Sequence, residues 1–144
     1  MPRALLALLL LTGAAQAAEP LTIDVHRDPN CGCCSAWIEH LQHNGFVVND
    51  HLEADMPALK QRLGVPPSLA SCHTGVIDGK FVEGHVPAAD ILTLRQRPDL
   101  LGAAVPGMPT GSPGMERGNV RDAYQVIGVD KQGQATVITQ YPGN

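Results

Sequence analysis

Apolar and polar residues alternate from Leu21 to His26, and a period of two predicts a half-buried strand there. Asp28-Pro29-Asn30 breaks that pattern, and the period then lengthens. Cys34, Trp37, Ile38 and Leu41 fall at i, i+3, i+4 and i+7, the apolar stripe of a helix from about Cys34 to Asn44, with Asn44-Gly45 as its stop. Phe46 to Val48 and the next few residues read as a second strand. Met56 to Leu63 reads as a second helix, with Asp55 as N-cap, Pro57 in the first turn and Gly64 beyond the end. Val65 to Ser68 is an extended connector to Ser71-Cys72-His73-Thr74. Two strands follow, Thr74 to Asp78 and Lys80 to Glu83, joined at the hairpin signal Asp78-Gly79. Gly84-His85-Val86-Pro87 then enters a third helix, Ala88 to about Arg97, which Pro98 ends.

The resulting order, β-α-β-α-β-β-α, predicts an α/β (α+β) thioredoxin-like domain over residues 18–98, a βαβ unit followed by an antiparallel hairpin and a helix. Residues 99–144 form a C-terminal extension expected to pack on the same domain. Its first part, Gly102 to Gly118, is so rich in Gly and Pro that neither a helix nor a central strand is expected there. Its second part, Ala123 to Val129 and Gln134 to Gln140, reads as a final hairpin.

The N-terminus changes the setting. Arg3, the apolar run Ala4 to Leu11 and the small-x-small site Ala15-Gln16-Ala17 have the layout of a signal peptide cleaved after residue 17. That run is too short to span a bilayer, and no later one is longer. Removing residues 1–17 from the 144 leaves 127, enough for one core, and loses one charge, Arg3, so the net charge moves from −4 to −5. A mildly acidic chain without a basic face excludes nucleic acid and anionic membrane as natural partners, and a monomer is expected.

Export makes the four cysteines informative, because unprotected thiols outside the cytoplasm oxidise or bind metal. Cys31 and Cys34 have the C-x-x-C spacing of thiol redox sites, but Cys33 between them makes the run denser than a dithiol site needs. Only a Cys31–Cys34 bridge, leaving Cys33 for Cys72, avoids a strained short ring. The predicted helix directs its free N–H groups at these sulfurs, which favours thiolate. In a thioredoxin-like topology the segment before the hairpin lies against the C-x-x-C turn, so Cys72 would bring a fourth sulfur to the other three. A cysteine at this place, in thioredoxin-like domains usually a cis-proline, favours a metal site. Met108 and Met115, flanked by Gly and Pro, are poor core residues, and thioethers select Cu(I). Of the six histidines, His85, His73 and then His26 lie near the site by topology, whereas His40 and His43 are expected to be solvated.

Residues 28–34 (DPNCGCC), 71–74 (SCHT), 83–87 (EGHVP) and 107–116 (GMPTGSPGME), in this order, closely resemble the CopG-type periplasmic copper-resistance proteins. The resemblance spans essentially the whole mature chain. It implies a periplasmic, thioredoxin-like domain whose extension helps bind metal, and a cysteine-bridged multinuclear copper site that interconverts Cu(I) and Cu(II). Carried onto this chain, the sulfurs are Cys31, Cys33, Cys34 and Cys72. Met108 and Met115 are the loop's contribution, and His85 and His73 are the candidate nitrogen ligands. A periplasmic copper carrier or efflux system is the partner the resemblance brings with it. Two other readings stand beside it: a thiol–disulfide oxidoreductase using Cys31 and Cys34, and a structural domain held by zinc or two disulfides.

Overall fold

A computed structural model describes residues 19–144; the expected signal peptide lies outside the described residues. Among the described residues seven strands form one mixed sheet, accompanied by three α-helices. The strands are β1 (Leu21–Arg27), β2 (Phe46–Leu52), β3 (His73–Ile77), β4 (Lys80–Glu83), β5 (Leu100–Ala104), β6 (Tyr124–Asp130) and β7 (Ala135–Tyr141). The helices are α1 (Gly32–His43), α2 (Met56–Leu63) and α3 (Ala88–Arg95). Across the sheet the order is β2-β1-β3-β4-β5-β6-β7. The β1–β2 and β4–β5 pairs are parallel and the others antiparallel, so α1 and α3 are the crossovers of two βαβ units.

The periodic segments fold as their patterns dictate. Ile23 and Val25 of β1, and Cys34, Trp37, Ile38 and Leu41 of α1, are buried on one side of the sheet. Val82, Ile91, Leu94 and Ala103 join them from β4, α3 and β5, with Val86 and Val105 from the residues after β4 and β5. A smaller cluster of Val65, Phe81 and Val129 fills the opposite side beneath the α2 connector. Asp55 caps α2 by accepting from the Ala58 N–H at 3.0 Å. At the β3–β4 turn Asp78 and Gly79 both have positive φ, as a two-residue hairpin requires.

One expectation is corrected. The segment beginning at Gly102 was expected to lie outside the sheet's centre, yet β5 runs to Ala104 and pairs with β4 on one side and β6 on the other. Gly102 is the cross-strand partner of Phe81, and a Cβ there would stand 2.4 Å from the Phe81 ring. The glycine is the space into which an aromatic side chain packs. Through β5 the final hairpin continues the same sheet, and it is tied back to α3 where buried Asp90 accepts hydrogen bonds from the Thr139 and Tyr141 hydroxyls.

Candidate metal centre

The four cysteines meet at the N-terminus of α1. Cys31 is the N-cap residue and its side chain makes no capping hydrogen bond, so the first-turn amides and the positive end of the helix dipole face the sulfurs. Cys33 and Cys34 follow in the first turn, and Cys72 arrives from the residue before β3. The Cys31 and Cys34 sulfurs form a disulfide; Cys33 and Cys72 are free thiols. Cys33 Sγ lies 3.6 Å from Cys31 Sγ and 3.7 Å from Cys72 Sγ, and Cys34 Sγ is 3.7 Å from Cys72 Sγ. All four sulfurs fall within 4.8 Å of one another.

Two nitrogens extend the cluster on its buried side. Cys72 Sγ, His73 and His85 form a second group with ligand atoms within 4.8 Å. His73 donates from Nε2 to the Gly84 carbonyl at 2.9 Å, which leaves the Nδ1 lone pair facing Cys72 Sγ at 3.5 Å. His85 donates from Nδ1 to the Pro113 carbonyl at 2.8 Å, and its Nε2 is buried without a hydrogen-bond partner. A backbone carbonyl thus fixes each tautomer and turns the other nitrogen inward, the arrangement typical of metal-ligating histidines. Burial, with His85 next to it, pushes His73 down to about 3. Burial likewise lowers His85. Both rings are therefore neutral at pH 7 and need shed no proton to bind a metal.

The thiol of Cys72 is pushed up to about 12, by burial first and by neighbouring Cys33 second. A bare thiolate is unfavourable there, and a bound cation would supply the missing positive charge. A soft metal fits this donor set: thiols, neutral imidazoles and one buried nitrogen lone pair with nothing else to do.

The C-terminal loop closes the outer side. Met108 Sδ lies 4.0 Å from Cys33 Sγ, and the residue is 55% exposed, lining a groove of about 850 Å³ with Pro106, Pro109 and Tyr124. Gly114, with φ +85°, packs directly on α1, where a Cβ would stand 2.8 Å from the Trp37 backbone nitrogen. Pro113 beside it receives the His85 hydrogen bond. The loop therefore carries both a thioether to the mouth of the site and a carbonyl to its floor. Met115 is half-buried in the same loop, its amide bonded to the Ser112 carbonyl. His26 sits elsewhere, stacked on His51 with ring centroids 4.8 Å apart and 3.7 Å from Glu53. His40 is corrected from solvated to structural, since its Nε2 accepts the Ala88 N–H at the start of α3.

Sequence reasoning missed the frame around these ligands. Glu83, fully buried on β4, accepts from the Ser71 N–H at 2.6 Å, the Thr74 hydroxyl at 2.6 Å and the Lys60 ammonium of α2. Ser71 and Thr74 bracket Cys72 and His73, so the carboxylate grips the ligand-bearing segment from both ends. Trp37, also buried, stacks on the His73 ring with centroids 4.4 Å apart. The presence of Glu83 in the residue 83–87 motif was the one available signal.

The fold and site define a mixed α/β protein with a cysteine cluster suited to soft metal. Solved structures named copper resistance protein CopG, in forms 1 and 2, are similar to this chain along nearly its whole length. Form 1 is 73% identical, covers 87% of this chain and 100% of its own, and superposes with a TM-score of 0.85. Form 2 is 72% identical, with 86% and 100% covered and the same TM-score. A family model described as a protein of unknown function, DUF411, matches residues 69–115. No curated protein sequence matches the chain. The chain belongs to the CopG family of copper resistance proteins.

Proposed function

We propose that this is an exported, thioredoxin-like copper-binding protein that holds more than one copper ion in a cysteine-bridged site and interconverts Cu(I) and Cu(II) in copper resistance. The observation that carries the reading is the convergence of four cysteine sulfurs with two neutral histidine nitrogens, one of them buried and unpartnered. Bridging thiolates and a thioether favour Cu(I), while imidazoles accept either oxidation state, so a mixed set tolerates one-electron change. Cys31, Cys33, Cys34 and Cys72 are the sulfur ligands in this reading, with His73, His85, Met108 and Met115 completing the set. A periplasmic carrier or efflux system would exchange copper at the exposed Met108 side.

Anaerobic Cu(I) titration of the reduced mature protein against a competing chelator tests it. More than one tightly held copper per chain, lost in Cys33→Ser, is the expected result. Failure to retain copper would overturn it and leave the second reading, a thiol–disulfide oxidoreductase, which the Cys31–Cys34 disulfide favours.

A further inference from the structure

The two readings of the site share Cys31 and Cys34, and the structure distinguishes that pair from Cys33 and Cys72. Cys31 and Cys34 are bonded to each other; Cys33 and Cys72 remain free thiols 3.7 Å apart. Each member of the bonded pair touches one member of the free pair: Cys31 lies 3.6 Å from Cys33, and Cys34 lies 3.7 Å from Cys72. The Cα atoms of Cys31 and Cys34 are 5.5 Å apart, within the range a disulfide spans without backbone movement, so the pair can open and close inside a fixed site. The remaining soft and nitrogen donors (Met108, His73 and His85) sit around Cys33 and Cys72.

We infer that the cysteines divide the work: Cys31 and Cys34, ligands while reduced, are the two-electron donor that reduces Cu(II), and Cys33 and Cys72 hold the Cu(I) once that pair is oxidised. The inference rests on the copper reading above. Each of two Cu(II) ions gains one electron. The Cys31 and Cys34 thiols lose two protons to solvent, and one sulfur–sulfur bond forms between them. The described structure has the sulfur arrangement of the product side. Cys33 and Cys72 are each in sulfur contact with one member of the donor pair, so electrons reaching copper held there would cross no further group. Reopening the disulfide requires an external dithiol, which exchanges with it through a mixed disulfide.

The test adds Cu(II) sulfate to the fully reduced mature protein without oxygen. Cu(I) is counted with a chromogenic chelator, and the thiols are then alkylated and mapped by peptide mass. The expected result is two Cu(I) for every Cys31–Cys34 disulfide, with Cys33 and Cys72 alkylated. In Cys31→Ser and in Cys34→Ser the initial rate of Cu(I) formation should fall roughly tenfold or more, since neither retains the donor pair. A Cys33–Cys72 or intermolecular disulfide in the wild-type map would overturn the inference, as would Cu(I) formed with all four thiols intact. The map is read on the wild-type protein and does not depend on a variant folding. Cu(I) retention is measured separately by titration, so failure here leaves the copper-holding reading standing. Loss of retention with the two-to-one yield intact removes that reading instead.

Discussion

Glu83→Leu should cost the metal-free protein about 3–5 kcal/mol, the usual penalty for removing one partner of a buried ion pair. Glu83 is fully buried and Lys60 is 11% exposed at the side chain, so the abandoned ammonium has little access to water. The Ser71 amide and Thr74 hydroxyl lose their acceptor in the same step. Against a typical total of about 5–15 kcal/mol this is a large share, and a fall in Tm of roughly 10–20 °C follows for a domain of this size. The companion variant separates charge from position. Lys60→Met with Glu83→Leu removes both charges and should regain most of the lost stability, because apolar replacements of a buried pair are often neutral or better. It cannot restore the grip on Ser71 and Thr74, so Cu(I) affinity should stay about 10- to 100-fold low, the range seen when outer-shell support of a metal site is lost. Thermal unfolding and chelator competition on the same three proteins provide the numbers. A single variant as stable as wild type would refute the argument, and so would a double variant that recovers full Cu(I) affinity.

Three further outcomes follow from the site's surroundings. Met108→Leu should weaken Cu(I) binding about tenfold, or ~1.4 kcal/mol, and more than Met115→Leu, because the Met108 sulfur is 4.0 Å from Cys33. Emission of Trp37, the chain's single tryptophan and stacked on His73, reports the titration, and equal affinities for the two variants would contradict the ranking. Gly114→Ala should lift the loop off α1, since it combines positive φ with a backbone clash at 2.8 Å; a cost of about 1–3 kcal/mol and faster proteolysis within residues 106–115 are expected, and an unchanged digestion pattern would rule the docking contact out. The metal-free protein should lose stability on acidification. His73 titrates near 6.5 when unfolded and near 3 when folded, so its contribution is complete above pH 6.5 and declines below it, by about 2 kcal/mol at pH 5. A lower urea midpoint at pH 5 than at pH 7.5 is the signature; coincident midpoints would be incompatible with a neutral buried His73.

What the sequence revealed and what it hid have a common cause. Elements whose side chains alternate or repeat along one segment were legible: β1 by its Ile23 and Val25, α1 by Trp37 and Leu41, α2 by its Asp55 cap and Gly64 stop. β5 was not, because Gly102, Ala103 and Ala104 carry almost no pattern of their own. Their place in the sheet is decided by Phe81, a residue from another strand that needs the room. The site divides the same way. Cys31, Cys33 and Cys34 are neighbours in sequence, and the strand–helix order was enough to bring Cys72 to them. The Lys60–Glu83 pair joins residues 23 positions apart, and the carbonyls of Gly84 and Pro113 that set the histidine tautomers carry no side-chain signature.

The hidden part explains the choice between copper chemistry and plain dithiol exchange. A dithiol enzyme needs one activated thiolate and a resolving partner, and the Cys31–Cys34 pair at a helix N-terminus meets that need. Nothing in such a reaction uses a buried imidazole lone pair, a second histidine turned toward Cys72, or a carboxylate committed to holding the Cys72 segment in place. One of these costs stability in the metal-free protein: the buried His85 nitrogen, which has no hydrogen-bond partner. A cation bound there would relieve it, with the neutral His73 and Cys72 beside it as further donors. The outer cysteines alone would suit thiol exchange; the inner shell of Cys72, His73 and His85 suits metal.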